Sequence, residues 1–253
     1  MKSIKEIKDL LENIPLEYRM QELEIYRQDQ RNGVKQLIQK YEKQYQMLLK
    51  EKERSYQLLS YEREYQTYEY IGGIDEVGRG PLAGPVVAAC VVLPKNPSLL
   101  YINDSKKLSE KKREELYQKI QEEAIAIRIG VESPAIIDEI NILQATYSAM
   151  RKAIHTMNPK PDILLNDAVL IPEVTIKQVP IIKGDAKSMS IGAASIIAKV
   201  TRDHMMIEYD KLYPEYDFAS NKGYGSQKHI DALKKYGPTP IHRTSFIHHF
   251  VSV

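Results

Sequence analysis

Gly73-Ile74-Asp75-Glu76-Val77-Gly78-Arg79-Gly80-Pro81-Leu82-Ala83-Gly84-Pro85 runs straight into Val86-Val87-Ala88-Ala89-Cys90-Val91-Val92-Leu93, and the fold turns on this stretch. Its second half is an unbroken apolar run of strand length, suited to a buried strand. Its first half brings a short apolar approach, from Ile71, up to two adjacent acids and then a glycine-rich turn. Two early strands joined by a turn are expected, with Asp75 and Glu76 where the first gives way to the turn.

Downstream the elements alternate. Ser109 followed by Glu110 reads as a helix cap with an acid in the first turn, and Leu116, Ile120 and Ala124 follow at intervals of four. Residues 125–131 and 163–165 read as strands, and 174–182 is a further β-branched run. Residues 141–157 and 187–206 have helical length and period; the second contains Gly192-Ala193-Ala194-Ser195, small enough for close approach to a sheet. A late helix over 226–236 is stopped by Gly237-Pro238. The class is α/β.

Upstream of residue 70 the texture differs. The first seventy residues hold 9 of the 17 tyrosines and one glycine, Gly33, while the remainder holds the other eleven. Val34, Leu37, Ile38, Tyr41, Tyr45, Leu48 and Leu49 recur at helical spacing. A helical N-terminal extension over residues 1–70 is expected, its stripe packing on the neighbouring domain, followed by a catalytic domain over residues 71–253.

Composition bounds the partners. The 253 residues are 43% hydrophobic and 28% charged, as in folded soluble proteins. The opening Met1-Lys2-Ser3-Ile4-Lys5-Glu6 lacks a secretory apolar core, and the apolar run of residues 86–93 is far short of the roughly 20 residues of a bilayer span. The lone Cys90 forms no intrachain disulfide. A cytoplasmic protein without membrane association is expected, monomeric by default. A net charge of +2 means that nucleic-acid binding must come from local basic clusters.

Four acids carry the chemistry. Asp75 and Glu76 follow Ile74, Asp167 follows Leu164-Leu165-Asn166, and Asp185 follows Ile181-Ile182-Lys183-Gly184, so apolar segments deliver each one. A single Asp is ordinarily a cap or turn residue, but four such carboxylates brought together raise one another's pKa unless a cation neutralises them. An oxygen-only donor set without His or Cys selects Mg²⁺ or Mn²⁺ over Zn²⁺, and paired ions of this kind activate water for attack on a phosphodiester. Around the acids stand three candidate substrate contacts. Gly78-Arg79-Gly80 lets backbone approach a ligand; Tyr224, held between Gly223 and Gly225, can stack on a nucleotide; Lys106 and Lys187 can meet phosphates. Each has a plainer reading as a tight turn, a packing tyrosine or solvated charge.

The thirteen residues 73–85 resemble the signature of bacterial ribonuclease HII. The likeness continues through residues 103–108, 184–187, 194–203 and 222–225 and closes at His242-Arg243-Thr244-Ser245-Phe246, covering about 70 to 250 and leaving residues 1–70 uncovered. The resemblance implies a ribonuclease H-like fold with a mixed β-sheet flanked by helices and a C-terminal helical part. It implies an endonuclease that cuts the RNA strand of RNA–DNA hybrids and ribonucleotide-containing duplex DNA. It assigns catalysis and the binding of two Mg²⁺ or Mn²⁺ ions to Asp75, Glu76, Asp167 and Asp185. Gly78-Arg79-Gly80 is then the loop beside the ribose 2′-hydroxyl, and Tyr224 stacks on the adjoining deoxyribose. Two positions depart: Ala168 where the family often has Gly, and Ser226 where it usually has Thr. The sister family ribonuclease HIII is also similar, but Asp185 and Pro81-Leu82-Ala83-Gly84-Pro85 favour HII. A junction resolvase, a transposase or a non-catalytic binding module with the same fold are the alternatives.

Overall fold

The computed structural model describes residues 2–251, which divide into two compact units between Gln57 and Leu58. In the first, Ser3 caps α1 (Ile4–Glu12) through a reciprocal pair: its hydroxyl accepts from the Glu6 amide at 3.2 Å while Glu6 Oε2 accepts from the Ser3 amide at 2.6 Å. Pro15 starts α2 (Leu16–Glu24), and α3 runs over Asn32–Leu58. Val34, Ile38 and Tyr41 of α3 are buried with Ile7, Leu11 and Leu23. The first half of the α3 stripe therefore covers α1 and α2 of its own unit, which corrects its assignment to the neighbouring domain. Both short helices carry apolar residues of their own, and these are the nearest cover.

The second unit begins with α4 (Ser60–Glu64) and continues as β1 (Ile71–Val77), β2 (Val86–Val92), α5 (Glu110–Glu123), β3 (Ala126–Glu132), α6 (Pro134–His155), β4 (Ile163–Asp167), β5 (Lys177–Ile181), α7 (Met189–Leu212), α8 (Phe218–Asn221), α9 (Gln227–Tyr236) and α10 (Thr244–Ile247). The strands form one mixed sheet in the order β3-β2-β1-β4-β5. β1, β2 and β3 pair antiparallel; β1, β4 and β5 pair parallel. This is the expected ribonuclease H-like architecture.

β2 is apolar along its whole length because both sheet faces are covered. Val87, Ala89 and Val91 pack with Leu116 and Ile120 of α5 and Ala193, Ile196 and Ile197 of α7. Val86, Ala88, Cys90 and Val92 pack with Ala145, Ala149 and Met150 of α6. Burial pushes the Cys90 thiol up to about 12, leaving it unreactive. α7 lies so close to β1 that a Cβ on Gly73 would stand 2.1 Å from the Ser190 carbonyl carbon.

Two boundaries differ from the sequence reading. α6 starts at Pro134, capped by Ser133, and breaks at Asn141, whose φ is 68° and whose side chain accepts from the Leu143 and Gln144 amides at 3.0 and 3.1 Å. The expected helix over 141–157 is the longer half; the turn before it is too short to show a period. Residues 58–70 belong to the second unit: Leu58 joins the core beneath β2, and Tyr61 and Tyr65 pack with Leu165, Ile181 and Ile191. Glu62 Oε1 accepts from Ser188 Oγ at 2.6 Å and from the Ser190 amide at 2.9 Å, holding the start of α7.

Candidate active site

The four acids line a single cavity of about 430 Å³, together with Ser105, Lys106, Arg113, Ser195, Lys199 and Tyr224. Asp167 closes β4, and its Oδ1 accepts from the Gly184 amide at 2.7 Å, tying the end of β4 to the 3₁₀ turn Gly184–Ala186 that carries Asp185. Asp75 and Glu76 do not stand after β1 as expected but inside it, paired with Ala89 and Ala88 of β2. On its other edge β1 pairs with β4 only as far as Ile74 and Asn166. Beyond that pair the edge is open, and two neighbours on alternating sides of a strand both reach the cavity.

The electrostatics are those of crowded carboxylates. Burial, Glu76 and Asp167 hold the buried Asp75 well above the usual carboxylate range, against a hydrogen bond from Ser195. Burial also raises Glu76, opposed by Arg79, whose Nη1 lies 3.5 Å from Glu76 Oε1. Asp185 is raised by burial and by the neighbouring Asp104 and Asp167, with Lys106 pulling it back. Among the described residues no three His, Cys, Asp or Glu side chains already form a closed metal-binding group. The acids stand around the cavity, and their all-oxygen donor set and mutual repulsion fit a hard divalent cation that would draw them together.

Backbone geometry, not side-chain charge, shapes the Gly78-Arg79-Gly80 loop beside the acids. Gly78 has a φ of +92°, and a Cβ there would meet Arg202 Nε at 2.3 Å. Arg202, fully buried, donates to the carbonyls of Pro85, Lys222 and Ala83 at 2.8, 2.8 and 3.0 Å. Arg243, also fully buried, donates to the carbonyls of Gly78 at 2.6 Å, Arg79 at 3.0 Å and Gly84 at 2.8 Å. Burial lowers Arg202 to about 10 and Arg243 to about 9, so both stay charged at neutral pH. The two guanidiniums pin the Gly78-Arg79-Gly80 loop to the segment bearing Tyr224, whose ring is 3.9 Å from the Cβ position of Gly80. Behind Tyr224, its carbonyl meets His229 Nδ1 at 2.8 Å, and His229 Nε2 meets His242 Nε2 at 3.0 Å.

The structure thus brings Asp75, Glu76, Asp167, Asp185, Lys106 and Tyr224 around one cavity, with Arg79 touching Glu76. Lys187 does not line it; it is exposed on the turn after Asp185. Sequence reasoning missed Ser105, Arg113, Ser195 and Lys199 as cavity residues. Ser105 and Ser195 join across the chain at 3.0 Å, and Lys199 pairs with Asp203 at 2.7 Å. In sequence they lie on a 3₁₀ turn and on the faces of α5 and α7, and only the packing of these elements around β1 brings them to one cavity.

A mixed five-stranded sheet that gathers four carboxylates at the open edge of its central strand defines a divalent-metal-dependent nuclease of the ribonuclease H-like class. The family model for ribonuclease HII matches residues 72–249, and that for the ribonuclease HII N-terminal domain matches residues 3–66, which extends the likeness into the segment that the motifs left uncovered. Ribonuclease HII of Lachnoclostridium phytofermentans is 63% identical over 90% of this chain and 89% of its own length. That of Clostridioides difficile is 52% identical over 97% of each. The crystal structure of ribonuclease H2 from Pyrococcus horikoshii covers 70% of this chain and 93% of its own at 29% identity and a TM-score of 0.58. The chain belongs to the ribonuclease HII family and is a hydrolase that cuts RNA in RNA–DNA hybrids.

Proposed function

We propose that this enzyme nicks duplex DNA on the 5′ side of a single embedded ribonucleotide as well as degrading hybrid RNA, leaving 3′-hydroxyl and 5′-phosphate ends. The observation that carries this reading is the joint construction of the cavity. Four acids and Tyr224 line it, and a Gly-Arg-Gly loop fixed by buried arginines stands beside them, with Arg79 Nη1 3.5 Å from Glu76 and Gly80 against the Tyr224 ring.

Asp75, Glu76, Asp167 and Asp185 would hold two Mg²⁺ or Mn²⁺ ions, which supply an acidified attacking water and charge neutralisation at the leaving oxygen. The chain's own groups do the positioning. The Gly78-Arg79-Gly80 backbone approaches the 2′-hydroxyl, which marks RNA at one position without any base being read. Tyr224 offers its ring to the adjoining sugar, Arg79 keeps Glu76 oriented, and Lys106 and Lys187 attract phosphates. The enzyme would act in the cytoplasm as a monomer on RNA–DNA hybrid and ribonucleotide-containing duplexes.

The test is cleavage of a labelled DNA duplex carrying one ribonucleotide, beside an all-DNA control, with and without Mg²⁺ or Mn²⁺. Metal-dependent nicking only 5′ to the ribonucleotide is expected. Cutting of the all-DNA control would replace this reading with a resolvase-like one.

A further inference from the structure

Asp138 does not line the cavity, yet it gathers four hydrogen bonds from one short stretch of chain. It lies in the leg of α6 before the break at Asn141, where its neighbour Ile137 is buried in the core against β2. Its Oδ2 accepts from the Thr244 amide and hydroxyl, both at 2.8 Å; its Oδ1 accepts from the Ser245 amide at 3.0 Å and from the Ser245 hydroxyl. Bonds of this kind, to a charged acceptor, are roughly twice as strong as neutral ones. Burial works to raise Asp138, but the donations from Ser245 and Thr244 hold it below the usual carboxylate range, so it is an ionised acceptor at neutral pH.

What these bonds fix is the residue before them. Thr244 and Ser245 open α10, and the preceding residue supplies no side-chain cap because it is Arg243, whose guanidinium is turned to the carbonyls of Gly78, Arg79 and Gly84. Asp138 supplies the missing acceptors from another element. The chain before Arg243 is tied by the bridge between Ala83 and His242, and Phe246 after it packs on the core that holds Ile137. Burial and the neighbouring Arg202 work against the charge on Arg243, and Asp138 supports it.

We propose that Asp138 is a positioning residue for cleavage: through Thr244 and Ser245 it sets Arg243, and through Arg243 it holds the Gly78-Arg79-Gly80 loop in place. This role rests on the proposed contact of that loop with the ribose 2′-hydroxyl. It is tested on RNA–DNA hybrid, so an enzyme that cuts hybrid but spares a single ribonucleotide would fail the earlier reading and leave this test intact.

The experiment is a double-mutant cycle on the full-length chain. D138N keeps the side chain's size but turns one acceptor oxygen into a donor facing other donors. D138N, R243K and D138N/R243K are assayed on hybrid well below the Tm of each. D138N should lower kcat/KM by about tenfold. In the R243K background its effect should shrink to about threefold or less, because both residues act through the same carbonyls. The Tm increment on adding Mn²⁺ should persist in D138N, since no acid of the cavity is touched. Single losses that multiply to within about twofold would make Asp138 an independent cap and overturn the proposal. So would an unchanged kcat/KM in D138N, or loss of the Mn²⁺ increment. Should D138N not fold, T244A/S245A removes the two hydroxyl donors, leaves both amide bonds and carries the same cycle. A loss of about threefold or more that shrinks beside R243K is then expected, and no loss, or a multiplying one, would overturn the proposal.

Discussion

At Ala168 the sequence and the structure meet on a single torsion. The family-like pattern often has glycine after the aspartate that closes β4, and Ala168 takes a φ of 58°, the left-handed region that a Cβ disfavours by roughly 1–2 kcal/mol. Ala168→Gly removes that strain and gives back roughly 0.5–1 kcal/mol in chain entropy. A net gain of up to about 1 kcal/mol is expected, read as a raised Tm; a lower Tm would show that the turn after Asp167 is not strained. The acids next to it carry the opposite balance. Asp75→Asn and Asp185→Asn should abolish metal-dependent cleavage, with losses on the order of a thousandfold or more if both hold the ions. Because Asp75 is buried beside Glu76 and near Asp167, Asp75→Asn should also raise Tm in chelator and reduce the stabilisation that added Mn²⁺ brings to the parent. Near-normal cleavage in either variant would remove that residue from the site. Of the residues named from sequence, the acids were legible because each follows an apolar strand or precedes a turn. Lys187 was not, since a lysine next to Asp185 in sequence gives no sign of which way the 3₁₀ turn aims it.

Elements matter through how they hold the loops. Arg243→Lys keeps the charge but loses the fork that serves the Gly78, Arg79 and Gly84 carbonyls. It should cost about 1–3 kcal/mol of stability and lower kcat/KM on hybrid by about tenfold, equivalent to about 1.4 kcal/mol, while the Tm increment on adding metal persists. An unaltered kcat/KM would mean that the loop holds its shape without the clamp. The histidines behind Tyr224 add a pH dependence. The Tyr224 carbonyl and the Thr239 amide bind opposite ends of the pair, so His229 Nδ1 donates and His242 Nδ1 accepts, leaving His242 Nε2 to donate to His229. Both are neutral, with His242 lowered to about 4 by burial and by His229. A base whose folded pKa lies below its unfolded value of 6.5 stabilises the fold above 6.5 and loses that contribution as pH falls towards 4. The loss is on the order of 3 kcal/mol, and a His242→Gln variant should show a flatter Tm profile between these pH values. None of this support was readable from the chain, because a buried arginine or histidine is known only by the carbonyls that surround it. The helices and strands were readable, since period and caps such as Ser109 and Ser226 are local, whereas Asn141 breaks α6 at a residue whose positive φ nothing in the sequence announces.

For the molecule as a whole, the two units differ in how much core each has. The catalytic unit buries β2 on both faces and sets α7 against β1 in near backbone contact at Gly73. The N-terminal unit closes on six buried apolar residues spread over three helices. Small domains bury a smaller share of their surface and are correspondingly marginal, and local opening follows the density of buried apolar contacts. Native-state hydrogen exchange should therefore show the slowest amides in β1, β2 and α7, and markedly faster exchange in α1, α2 and the first half of α3. Gly73→Ala sharpens the contrast: its Cβ would lie 2.1 and 2.4 Å from backbone atoms of Ser190 and Ile191, so β1 or α7 must move. A loss of about 1–3 kcal/mol or more is expected from such overpacking. Protection in β1, β2 and α7 should fall by the corresponding factor, while α1 and α2 exchange as before if the units open independently. A matching fall in α1 and α2 would instead make the chain one cooperative body, in which the N-terminal helices draw their stability from the sheet and not from their own six-residue core.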